Sequence, residues 1–172
     1  MLTSSDTYAS SGGRLETTRY QLVGRGFVAP RLDGRNMRTW VELFNETAAA
    51  CQFPLYFGKN YAALFDLLTD FEWSPSPVGY LLCIDYPEFV LDSEEPSELR
   101  LLVKLIRDAA ETWREEMTRW DVWGKPMASA VFGAVLHTGR DVGQDPLSRW
   151  RFAGANPVPI DQLLTEGDAG PE

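Results

Sequence analysis

Residues 53–71, FPLYFGKNYAALFDLLTDF, carry the densest local signal in the chain. Pro54 fixes its own φ and disfavours helix at Phe53. Tyr56 and Phe57 lead into Gly58, which tolerates the sharp backbone a turn needs. Asn60 is a good N-cap, its side-chain oxygen available to a free N–H of the first turn. Tyr61, Leu64, Leu68 and Phe71 then recur at helical spacing and predict a core-facing stripe. Ala62, Phe65, Asp66 and Thr69 fall on the adjoining face. An acid in mid-helix gains little from the helix dipole. Asp66 is therefore either a solvated surface acid or a group meant for a partner.

Outward from this segment, Met37, Trp40, Phe44 and Ala48 predict a first helix over Met37–Cys51. WSPSP at 73–77 ends the second. Val78–Tyr86, VGYLLCIDY, is a nearly continuous apolar run of strand length, which suits a strand covered on both faces. An acidic connector, Pro87–Glu95, precedes Pro96, well placed as a first helical residue. Leu99, Leu102, Val103, Ile106, Ala110, Trp113, Met117 and Trp120 predict a long third helix, ended by Gly124 and Pro126. Met127–His137 reads as a second apolar strand. Thr18–Ala29, TRYQLVGRGFVA, reads as one bulged strand or two short ones around Gly24 and Gly26. Residues 1–15 are Ser- and Gly-rich and predict a disordered arm. After Thr138 the composition turns to Gly, Pro, Asp and Arg. Trp150 and Phe152 are too apolar for a free tail, and PVPIDQLL at 157–164 could form a short helix. The expected layout is an arm over 1–15, one domain over 16–139, and a partly docked extension over 140–172. The element order predicts a small α/β domain, about three parallel strands flanked by helices in three layers.

The chain has 172 residues, enough for one domain with extensions, and a net charge of −9. That balance argues against a direct nucleic-acid ligand, which needs a basic face, and suits a basic partner. The amino terminus shows no basic start and no apolar run, so no signal peptide is expected, and no stretch approaches a membrane span. Cys51 and Cys83 are read as reduced, buried thiols, and together these signs predict a cytoplasmic location. Neither metal-ligand spacing nor a nucleotide loop is present, and no cofactor is expected. His137 is the one histidine, at the end of an apolar strand. A hydrolase built on Cys51 or a carboxylate pair ranks last, since no matched catalytic set accompanies either. On the third helix Asp108 points away from the core stripe, with Glu111 and Glu115 continuing its row. Arg100 and Arg107 border that side, so local ion pairs are the competing account.

Aromatic-Pro-x-Tyr-aromatic-Gly-x-Asn followed by Ala-Leu-aromatic-Asp-x-Leu-Thr resembles the inhibitory loop and second helix of the barstar family, intracellular inhibitors of the secreted ribonuclease barnase. The resemblance extends more loosely from about Arg25 to Gly139. It implies a non-enzymatic protein that blocks a ribonuclease or ribonuclease toxin one-to-one, using the acidic helix as a phosphate mimic. Asp66 would then accept charge-assisted hydrogen bonds from arginine or histidine in the enzyme's active site. Tyr56, Phe57 and Phe65 would supply water-excluding contacts, Gly58 and Asn60 would set the loop, and Thr69 and Asp108 would border the site. Ala62 stands where the family has an aspartate, and Phe65 where it has a tryptophan. The alternative is an interaction or regulatory module of the same fold with no ribonuclease target, docking through its extensions.

Overall fold

The computed structural model describes residues 5–70, 78–115, 131–139 and 145–165. Six strands form one parallel sheet: β1 (Thr7–Ser11), β2 (Phe27–Val28), β3 (Arg31–Asp33), β4 (Gly79–Asp85), β5 (Val131–Thr138) and β6 (Val158–Pro159). Their order is β2-β4-β5-β1-β6, and β3 also pairs with β4. Together β2 and β3 make one interrupted edge, broken at Pro30, which has no N–H to give; its carbonyl still accepts from Cys83 N at 2.9 Å. The helices are α1 (Leu15–Gly24), α2 (Trp40–Cys51), α3 (Tyr61–Asp70), α4 (Pro96–Arg114), α5 (Ser148–Phe152) and α6 (Asp161–Thr165).

The apolar run of β4 is explained by burial on both faces. Leu82 and Ile84 join a core formed with α2, α3, α4 and α5, while Leu81 and Cys83 join a second core with α1 and α6. The sheet is thus the middle of three layers, wider than the three strands expected. Pro96 opens α4 at its first turn, and Leu99, Leu102, Val103, Ile106, Ala110 and Trp113 are buried along it. Trp113 Nε1 donates to Leu68 O at 2.8 Å, which ties α4 to α3. Met117, Trp120, Gly124 and Pro126 lie outside the described residues, as do Phe71 and WSPSP.

Two expectations are corrected. The arm expected to be disordered contributes β1, which pairs with β5 from Thr7↔Ala134 to Ser11↔Thr138 and with β6 on its other edge. Buried polar groups stabilise it there: Ser10 Oγ bonds Thr18 Oγ1 at 3.0 Å and His137 Nδ1 at 3.2 Å. The segment read as strand over 18–29 is helical up to Gly24, where only Leu15, Thr18 and Leu22 face inward. Its strand content is Phe27–Val28 alone.

Beyond Thr138, some of the described residues are buried against the domain. Trp150 is fully buried and donates Nε1 to Pro87 O at 2.9 Å. Arg149 donates to three carbonyls, those of Glu88 and Val90 at 2.9 Å and Leu91 at 3.1 Å. Leu91 has φ 51°, so this clamp holds a loop that contains a left-handed non-glycine residue. Among the described residues no helix is long and apolar enough to cross a membrane.

Candidate partner-binding site

The α2–α3 connection is built as a braced loop. A capping box starts α2, with Thr39 Oγ1 accepting from Glu42 N and Glu42 Oε2 accepting from Thr39 N. At its far end Gln52 turns left-handed at φ 54°, and Phe53 N reaches back to Ala48 O at 2.9 Å, a Schellman-type stop. A turn follows, closed by Phe57 N to Pro54 O at 3.0 Å. Asn60 then caps α3: its Oδ1 accepts from Ala63 N at 2.9 Å, and its Nδ2 donates to Gly58 O at 3.2 Å. The left-handed residue here is Lys59, at φ 47°, rather than Gly58. Gly58 serves close approach instead, since a Cβ there would lie 3.1 Å from Asn60 Nδ2.

Beneath the loop runs a chain of aromatic contacts. Phe53 meets Phe57 at 5.1 Å between centroids, Phe57 meets Phe44 at 6.0 Å, Phe44 meets Trp40 at 5.4 Å, and Trp40 meets Tyr61 at 6.2 Å. The two neighbouring loop aromatics therefore divide. Phe57 is buried and props the loop from below, whereas Tyr56 is 78% exposed beside the fully exposed Leu55. On α3, Leu64, Leu67 and Leu68 face the core. Tyr61, read as part of the core stripe, sits at the surface.

Asp66 is exposed, and among the described residues its carboxylate forms no hydrogen bond or ion pair. Ala62 is exposed on the same helix, and Phe65 is half-buried against the core. Thr69 turns its hydroxyl back to Phe65 O at 2.9 Å and Asp66 O at 3.1 Å, so that hydroxyl serves the helix backbone. Asp108 faces outward and pairs with Lys104 rather than with the neighbouring arginines. Arg107 instead bonds Asp6 Oδ2 at 3.2 Å and Gly154 O at 2.7 Å, and Arg100 stacks on Phe152 at 5.0 Å.

Between the amino ends of α2 and α3 and the face of α4 lies an open groove of about 720 Å³. Its walls include Trp40, Phe44, Tyr61, Phe65 and Leu101, with Asp108 on the rim. Trp40, Phe44 and Tyr61 read as core positions by spacing. The usable signal was aromatic density at the starts of two consecutive helices.

A family model described as Barstar (barnase inhibitor) matches residues 27–123. The chain belongs to the barstar family. The match takes in α2, the braced loop, α3, β4 and α4, and leaves out β1, α1, β5 and the segment beyond. A comparison with curated proteins finds no match. The family is one of inhibitors rather than catalysts. The cysteines fit that character, for burial pushes both Cys51 and Cys83 up to about 12, the reverse of what an activated thiol needs.

Proposed function

We propose that this barstar-family protein inhibits a ribonuclease, or a ribonuclease toxin, by placing α3 and the preceding loop over its active site. The observation that carries this reading is Asp66: an exposed carboxylate without an internal partner, on a helix held by a cap and an aromatic brace. A site built to grip phosphate offers convergent cations, and a rigid carboxylate satisfies them with charge-assisted hydrogen bonds. Tyr56 and Phe65 flank it with apolar surface that excludes water, and Asp108 adds acid at the border. Gly58 and Asn60 fix the loop, Phe57 supports it from beneath, and Ala62 and Thr69 complete the contact face. The net charge of −9 speeds encounter with a basic enzyme. The protein acts one-to-one, without a cofactor, in the cytoplasm of the cell it protects.

Titration calorimetry against barnase and a panel of other basic ribonucleases tests this. Asp66→Ala should leave folding within about 0.5 kcal/mol of the parent, as an exposed, unpaired position allows. It should weaken the complex by about 2–5 kcal/mol, a range that barnase and its inhibitor themselves helped to set, or roughly 30- to 5,000-fold. Unchanged affinity would remove Asp66 from the site. Association should slow as salt rises.

A further inference from the structure

We infer that the groove between α2, α3 and α4 receives an uncharged apolar side chain from the same ribonuclease that Asp66 engages, an inference that rests on the inhibitor reading. Every charged group on the rim already has an internal partner. Glu98 Oε2 accepts from Trp40 Nε1 at 2.7 Å, Asp108 bonds Lys104, and Lys59 Nζ donates to Asn45 Oδ1 at 2.8 Å. Two acids and two lysines balance, so the groove presents little net charge to a visitor. Asp66, the next residue after Phe65, differs because its charge is unspent.

A cation entering the groove would shed its hydration and find no free acid, unless it displaced Lys104 or the indole of Trp40. An apolar group sheds only unfavourable hydration, against walls formed by Trp40, Phe44, Tyr61, Phe65 and Leu101. Phe65 and Asn60 belong to both the groove and the proposed contact face, so a partner covering Asp66 overhangs the opening. The ribonuclease surface is thereby specified in two parts: cations for Asp66, and a protruding leucine, methionine or aromatic residue one helix turn away.

Leu101 is the place to test this, because it is 43% exposed on α4 and lines the groove without supporting the loop. Leu101→Glu and Leu101→Arg are compared with Asp66→Ala against whichever ribonuclease of the panel the parent protein binds. Dissociation rate is the readout, since added charge also alters steering of association. Both Leu101 variants should dissociate about tenfold faster or more, because either charge would be covered without a partner. Their free-state melting temperatures should stay within about 2 °C of the parent, as exposed positions allow. Slower dissociation for Leu101→Glu would overturn the inference and show that a cation enters. Rates within twofold of the parent, with Asp66→Ala still damaging, would also overturn it while leaving the inhibitor reading intact. A marked fall in the free-state melting temperature would mean that the protein's own chain packs against Leu101, and would overturn the inference. If no ribonuclease binds the parent, the inhibitor reading fails and this inference fails with it.

Discussion

Trp150→Ala tests whether the segment beyond β5 is an appendage or part of the folding unit. The side chain is fully buried, in the core shared with α4 and β5, and its Nε1 satisfies Pro87 O at 2.9 Å. Truncating a buried tryptophan costs about 3–5 kcal/mol, and leaving a carbonyl unsatisfied adds about 1 kcal/mol. For a domain of this size each kcal/mol moves the melting temperature by about 2–4 °C, so the fall should be roughly 8–24 °C. Trp150→Phe keeps most of the volume but loses the hydrogen bond and should cost about 1–2 kcal/mol. Differential scanning calorimetry is the assay, with far- and near-ultraviolet circular dichroism to check that one transition is followed. A fall under about 3 °C, or a small early transition ahead of an unchanged main one, would show that α5 is a separable attachment and refute the reasoning.

Tyr56 and Phe57 should separate by role: Phe57→Ala should lower stability by about 3 kcal/mol or more in a urea titration. Tyr56→Ala should leave stability unchanged and weaken the ribonuclease complex in calorimetry. Burial lowers the pKa of His137 from its ordinary 6.5, with nearby Asp85 and a Gly13 backbone hydrogen bond opposing the shift. The unfolded chain therefore binds the proton more readily, and stability should be full above pH 6.5 and decline as pH falls below it. His137→Gln should flatten that slope in urea midpoints measured across the range, and an equal slope in parent and variant would exclude the imidazole as its source. Phe152 is 72% exposed on α5, so Phe152→Ala should not alter ribonuclease affinity. A loss there, with Asp66→Ala silent, would move the ribonuclease contact from α3 to the extension.

The parts legible in the sequence were those where packing demands a regular pattern. Helix α4 alternates buried and exposed residues through five turns, and β4 is apolar on both faces because helices cover both. Strand β1 was illegible for the converse reason. TYASS holds two buried polar residues, Thr7 and Ser10, and Ser10 is stable inside only because Thr18 and His137 arrive from elsewhere in the chain. Helix α1 puts a threonine in the middle of its buried stripe and leaves Tyr20 and Val23 exposed, so its periodicity is weak. Tertiary contacts, not local preference, settle both elements.

At the site, the cap and the exposed acid were legible because both follow from local chemistry: Asn60 from its spacing to the first turn, Asp66 from its angle around the helix. The division of labour between Tyr56 and Phe57 was not, since adjacent residues in a loop have no periodicity to separate them. Nor did sequence show that Tyr61 leaves the core to meet Trp40, which required the crossing of α2 and α3.

The strands and helices that extend the sheet beyond β5 lie away from the proposed binding face. β1 and β6 extend the sheet beyond β5, and α1 and α6 cover its other face, while the loop, α3 and the groove lie on the side of α2 and α4. The junction between the two regions falls on adjacent residues of α4. Arg107 turns to Asp6 and Gly154, fastening the amino-terminal strand and the segment after α5, whereas Asp108 turns to Lys104 at the groove rim. Successive residues on a helix lie about 100° apart, so one helix can bind the extensions on one flank and border the proposed partner site on the next. Deleting residues 138–164 would strip Trp150, Arg149 and β6 from the domain and is therefore a stability experiment. Only point substitutions on exposed side chains can separate a docking role of the extension from inhibition through α3.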